Sequence, residues 1–105
     1  MNRVAFKMKL RDASCIAEYE KRHDEIWPEI LELLKGAGVS DYSIFLDEET
    51  LSLFAVQKVS GKGGSQDLGA EPAVRKWWDY MADLMETEEN NSPVSIPLRE
   101  VFRME

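Results

Sequence analysis

The chain has 105 residues, with 13 Lys and Arg against 20 Asp and Glu and a formal charge of −7, which argues against nucleic acid and anionic membrane because both require clustered cations. No run approaches the roughly 18 apolar residues of a membrane span, and the N-terminus enters an alternating pattern directly, without a signal peptide's apolar run, so the expected compartment is cytoplasmic. Hydrophobic residues at 44% suit one small domain over residues 1–105, and a single Cys15 with a single His23 excludes an internal disulfide and argues against a dedicated zinc or haem site.

Val4, Phe6, Met8 and Leu10 alternate with Ala5, Lys7 and Lys9, the period-2 pattern of a half-buried strand. Asp12 or Ser14 can cap the helix that follows, since each offers an oxygen to the first free amides. That helix carries Ile16, Tyr19, His23, Ile26, Ile30, Leu33 and Leu34, and Pro28 either kinks it or begins a second segment. Gly36 and Gly38 close it. Val39 to Leu46 reads as a second strand with Tyr42, Ile44 and Leu46 on one face, and Leu51 to Val59 as a third, joined by the polar turn Asp47-Glu48-Glu49-Thr50. Residues 60 to 70 are glycine-rich and read as a loop. Pro72 suits the first turn of a second helix, which carries Val74, Trp77, Trp78, Met81, Leu84 and Met85. After a polar connection from Glu86 to Pro93, Ile96 to Met104 alternates as a fourth strand.

The order is βαββαβ, the ferredoxin-like split βαβ pattern, an α+β fold with two helices on one face of an antiparallel sheet. Phe45, Phe54, Val56 and Val101 occupy the alternate positions, so the opposite face is also apolar. A second subunit packed sheet to sheet would cover it, and a two-fold homodimer of the dimeric α/β-barrel type is expected.

The chain's one histidine stands out. On a helical projection His23 lies in the apolar stripe between Tyr19 and Trp27, where a titratable ring is unusual. Its competing role is that of a hydrogen-bonded core residue. Its functional role would be acid–base chemistry, because imidazole alone has an unperturbed pKa, roughly 6.5, that suits proton exchange near neutrality. Trp77 and Trp78 point about 100° apart on a helix, so one should face a pocket more directly than the other.

Several segments together resemble the L-rhamnose mutarotase family: Tyr19 with Arg22-His23 and Ile26-Trp27-Pro28-Glu29, Tyr42 with Ile44 and Leu46-Asp47, Leu53-Phe54-Ala55, Trp77-Trp78 with Tyr80-Met81, and Asn91-Ser92-Pro93-Val94-Ser95. The resemblance implies a cytoplasmic homodimer of ferredoxin-like subunits that interconverts the α and β anomers of L-rhamnose without cofactor or metal. Carried to matching positions, it makes His23 the catalytic proton donor and Tyr19, Tyr42, Trp77 and Trp78 the residues that bind the sugar. The chain departs from the family at Gly61 to Ser65, where Ser65 stands in place of an expected Trp.

Mutarotation opens a pyranose to its aldehyde and recloses it on the other face, which is proton transfer with no redox step. Aromatic rings suit the methyl and C–H faces of a 6-deoxy sugar, and tyrosine hydroxyls suit its oxygens. The second proton carrier is open. Glu100, on the face of Leu98 and Phe102, is one candidate, with a structural contact to an Arg as its alternative. A dimeric ferredoxin-like monooxygenase and a non-catalytic small-molecule-binding module of the same fold are the competing functions.

Overall fold

The computed structural model describes residues 2–61 and 63–104, so Lys62 of the glycine-rich loop and the two terminal residues lie outside the description. Alternation builds the sheet as expected. In β1 (Asn2–Lys9), Phe6 and Met8 are buried, and Leu10 just beyond is fully enclosed. Leu53, Ala55, Gln57 and Val59 form the buried face of β3 (Ser52–Val59). With β2 (Val39–Asp47) and β4 (Ile96–Leu98) they make one sheet in the order β2-β3-β1-β4, every neighbouring pair antiparallel. The fold is therefore α+β, with a four-stranded antiparallel sheet and three α-helices.

The first predicted helix is two helices, α1 (Ile16–Asp24) and α2 (Pro28–Gly36). A proline disfavours helical geometry in the residue before it, and Trp27 is accordingly extended at φ −63° and ψ 134°. Pro28 then sits in the first turn of α2, where its missing N–H costs nothing. Upstream, Asp12 rather than Ser14 supplies the cap, accepting the Ser14 N–H at 2.8 Å ahead of a short 3-10 turn. Past α2, Gly38 at φ +86° makes the reversal that a side chain would resist, and a Cβ there would also strike the Ser60 hydroxyl. Gly36 meets no such constraint.

Val74, Trp77, Trp78 and Met81 are the buried stripe of α3 (Pro72–Met81), at the i, i+3, i+4, i+7 spacing of one helix face. Leu84 and Met85, expected to extend this helix, lie beyond it yet remain buried, Met85 bridging to Leu10 beside β1. The core joins these side chains to Tyr19, Ile30, Leu53 and Ala55 between the helices and the sheet.

The fourth strand is shorter than the expected Ile96 to Met104, and only Ile96–Leu98 pairs. Its register sets Leu98 opposite Ala5, so a ladder running on would use up β1, which starts at Asn2, by Val101. Val101, Phe102 and Met104 consequently stand in solvent, about four-fifths exposed. Glu100 does not point inward. It is exposed and takes two bonds from the Arg103 guanidinium, at 2.8 and 2.9 Å, which hold its carboxyl below the usual range, and it does not line the cavity described below.

The sheet face away from the helices carries two rows across the strands. Phe45, Phe54, Lys7 and Ile96 are paired in one, and Ser43, Val56, Ala5 and Leu98 in the other. Phe45 is 63% exposed and Ile96 50%.

Candidate active site

A cavity of about 620 Å³ opens between the helices and the buried face of the sheet, and all five predicted site residues, Tyr19, His23, Tyr42, Trp77 and Trp78, line it. That volume lies in the range of small-molecule sites. Apolar side chains, among them Ile16, Ile30, Leu34, Val39 and Leu53, make most of the remaining wall.

Tyr42 shares the inward face of Ile44 and Leu46, and β2 is irregular just before it. Ser40 pairs with Lys58 but Ser43 with Val56, so Asp41 and Tyr42 together oppose Gln57. This is a β-bulge, and Asp41 takes the left-handed conformation at φ 49° that it requires. One extra residue reverses the parity of the strand. Val39 before the bulge and Tyr42, Ile44 and Leu46 after it therefore all turn towards the core. The Tyr42 ring packs against Phe6 with centroids 6.5 Å apart.

His23 lies on α1 one turn after Tyr19. Its Nδ1 is 3.1 Å from the Tyr19 carbonyl oxygen, which can only accept, so Nδ1 carries a proton. In the neutral ring Nε2 then holds the lone pair. No protein group among the described residues bonds Nε2, and no buried side-chain nitrogen or oxygen among them is left unpartnered, so Nε2 is open to the cavity. Burial lowers the His23 pKa below its ordinary 6.5, against weaker upward pulls from the Tyr19 carbonyl and Asp24. The ring is neutral at pH 7, poised to take a proton through Nε2. Burial also raises the phenol pKa values of Tyr19 and Tyr42, keeping both hydroxyls protonated.

Two aromatic rings fix the imidazole. Tyr19 lies 4.4 Å from it at 34°, and Trp77 meets it edge-on at 5.6 Å and 83°. The second flank is thus Trp77 and not Trp27, because the break before Pro28 carries Trp27 off the line of α1. Trp27 instead packs edge-on to Trp77 at 5.1 Å and stacks on Tyr80 at 5.5 Å. The two tryptophans of α3 divide as their spacing suggests. Trp77 touches His23, whereas Trp78 turns towards Gly69, where an added Cβ would come within 3.1 Å of the indole.

Three residues without a role assigned from sequence support this arrangement. Arg22 donates to the Tyr80 carbonyl at 2.6 Å, to Asp83 at 2.9 Å and to Glu18 at 2.7 Å, and its guanidinium lies 4.3 Å from the Tyr80 ring centroid. It ties α1 to the end of α3 beside His23, satisfying a carbonyl that the helix itself leaves free. Gln57 and Ser65 form a buried polar pair, with the Ser65 N–H donating to Gln57 Oε1 and Gln57 Nε2 to Ser65 Oγ, both at 2.9 Å. The sequence did contain a signal for Gln57, the one polar residue among the alternating positions Leu53, Ala55, Gln57 and Val59. Ser65 had none, because its partner is eight residues away across a loop.

The L-rhamnose mutarotase family model matches residues 3–104. The L-rhamnose mutarotases of Formosa agariphila and Bacteroides thetaiotaomicron are each 63% identical to the chain over 105 residues, the whole of both sequences. A crystal structure of an L-rhamnose mutarotase from Formosa agariphila superposes with a TM-score of 0.92 at 57% identity, covering all of both chains.

Proposed function

The chain belongs to the L-rhamnose mutarotase family, and we propose that it interconverts the α and β anomers of L-rhamnose in this cavity by proton transfer through His23. It is an isomerase of sugar anomers. The observation that carries the His23 reading is the open Nε2 of an imidazole whose Nδ1 is tied to the Tyr19 carbonyl.

Ring opening requires the anomeric hydroxyl to lose its proton while the ring oxygen gains one. A neutral His23 first acts as base, taking the hydroxyl proton on Nε2 as the bond from the anomeric carbon to the ring oxygen breaks. The ring oxygen draws its proton from water or a neighbouring hydroxyl. The bound aldehyde then turns its other face. On closure the imidazolium is the proton donor, returning its proton to the carbonyl oxygen as the ring oxygen attacks and releases its own. Protons balance over the cycle, and the donor role predicted for His23 belongs to the closing half. Such a positioned group contributes about 10²–10⁴ in rate. Tyr19, Tyr42, Trp77 and Trp78 hold the sugar, the indoles against its apolar faces and the phenols at its oxygens.

The subunit is read as ferredoxin-like, which the order β2-β3-β1-β4 supports, because each βαβ unit then has one strand of the other inserted between its two parallel strands. The two apolar rows on the outer sheet face support a homodimer packed sheet to sheet. No described helix is long and apolar enough to cross a membrane. The cytoplasm as site of action is part of this proposal, and the family's activity in sugar metabolism supports it.

Saturation-transfer NMR on the two anomers of L-rhamnose, with and without the protein, tests the reading directly. Exchange should accelerate in proportion to enzyme concentration. Sugar binding without any acceleration would reduce the protein to a binding module.

A further inference from the structure

The hydrogen bonds between Gln57 and Ser65 have a forced direction. Gln57, on the buried face of β3 opposite the bulge, accepts the Ser65 backbone N–H on Oε1. A backbone N–H cannot accept, so this bond fixes the amide and leaves Nε2 as the donor to Ser65 Oγ at 2.9 Å. The amide nitrogen of Gln66 also donates to Ser65 Oγ, at 3.4 Å. A serine hydroxyl has two acceptor lone pairs and one proton, so its lone pairs are filled and only its O–H remains. That O–H faces Tyr42 Oη at 3.4 Å. Tyr42 Oη therefore accepts from Ser65, and its own proton has no acceptor among the described residues. With the ring lining the cavity, the proton is left for a ligand.

We infer that Ser65 is a positioning residue that orders the Tyr42 hydroxyl, fixing it as a hydrogen-bond donor to a sugar oxygen. The inference rests on the cavity being the sugar site. It gives the glycine-rich segment a role: Gly64, where a Cβ would collide with the Gln57 side-chain oxygen, lets the loop come close enough for Ser65 to dock. The position on the sugar that faces Tyr42 must then be an oxygen able to accept, and a C–H group there is disfavoured.

Ser65→Ala removes the hydroxyl but keeps the backbone N–H that docks the loop on Gln57. Ser65→Cys keeps nearly the same volume with a weak donor, and it carries the same comparison if the alanine variant does not fold. L-Rhamnose anomer exchange is measured for each, for Tyr42→Phe and for the double variants. Each Ser65 change should lower kcat/KM about three- to tenfold, the worth of one ordered hydrogen bond. Tyr42→Phe should lower it at least as much. In the Tyr42→Phe background the Ser65 changes should cost less than twofold, because the hydroxyl they order is already gone. An undiminished cost in that background would make Ser65 a packing residue and overturn the inference. Harmless Ser65 changes beside a damaging Tyr42→Phe would also overturn it while leaving the cavity reading intact. A harmless Tyr42→Phe would overturn both.

Discussion

His23→Asn is the perturbation that most directly separates chemistry from packing. Asn keeps an amide near the position of Nδ1, able to donate to the Tyr19 carbonyl now bonded at 3.1 Å, but it has no group at Nε2 and no titration near neutrality. The structural loss is bounded by the ring contacts, 4.4 Å to Tyr19 and 5.6 Å to Trp77. One such aromatic contact is worth about 0.5–1.5 kcal/mol, and imidazole stacking should not exceed that by much. Removing a ring kept neutral by burial also relieves some desolvation. The variant should therefore lose about 1–2 kcal/mol of stability and still fold. Its turnover should fall by about 10²–10⁴, equivalent to roughly 3–5 kcal/mol of activation free energy. Urea unfolding gives the first quantity and saturation-transfer NMR on L-rhamnose at saturating sugar the second. A folded variant within threefold of the parent kcat would show that His23 moves no proton in the slow step, and the mechanism would have to be rebuilt around another group.

Because burial depresses the His23 pKa, kcat/KM should stay level through pH 7 and fall on the acid side with a midpoint below 6.5, and His23→Asn should lack that limb. The linked stability has the same direction: with the folded pKa below the unfolded one, the unfolded chain binds the proton first, so stability is lost as pH falls from 6.5 through the folded value. Arg22→Lys should cost about 1–2 kcal/mol, since a point charge cannot hold the Tyr80 carbonyl, Asp83 and Glu18 together. Asp83→Ala should cost clearly less in the same denaturation series, because that carboxylate is 64% exposed, and equal costs would move the latch from the carbonyl to the ion pair. Light scattering of the parent at micromolar concentration should give twice the 12.1 kDa chain mass, and Phe45→Asp with Phe54→Asp, two charges on directly paired residues of that face, should give the monomer. A parent that is already monomeric would leave the rows without a partner.

Periodicity was enough to find β1, β2, β3 and the buried face of α3, because each turns one face to the core at a regular spacing. It placed His23 among apolar side chains on the inward face of its helix, which is a local fact, and left its role open. What it missed depends on partners distant in sequence. Alternation at 96–104 says nothing about whether β1 is long enough to pair with it, so the expected fourth strand runs too far, and of the two roles offered for Glu100 the contact to an Arg is the one found, in solvent. The projection that set Trp27 beside His23 assumed a continuous helix, and the break before Pro28 sent that ring to Tyr80 instead. The bulge at Asp41 and Tyr42 was equally hidden, since an extra residue is defined only against the opposing strand. The face assigned to Tyr42, Ile44 and Leu46 was nevertheless right. Val39, which a regular strand would turn away from them, is the residue that betrays the bulge.

These departures from regularity gather at the cavity, for a physical reason. The break at Glu25 to Trp27 lets α2 leave at its own angle, so Ile30 and Leu34 line a wall and do not fill it. Tyr42 adds a phenol to a largely apolar sheet face, and Ser65, docked on Gln57, supplies the polar neighbour that a buried phenol needs. The imidazole faces the same difficulty and meets it differently. Its Nδ1 is satisfied by its own helix, which leaves Nε2 unmatched by protein at the one place where a reacting hydroxyl can supply the missing partner. Among the described residues, the basic nitrogen of His23 and the phenolic proton of Tyr42 thus both lack a protein partner at the cavity. A ligand that both donates and accepts through oxygens completes the site better than an apolar molecule of the same size, and a sugar hemiacetal, which presents a donor hydroxyl and an acceptor ring oxygen on adjacent bonds, matches that pair of needs.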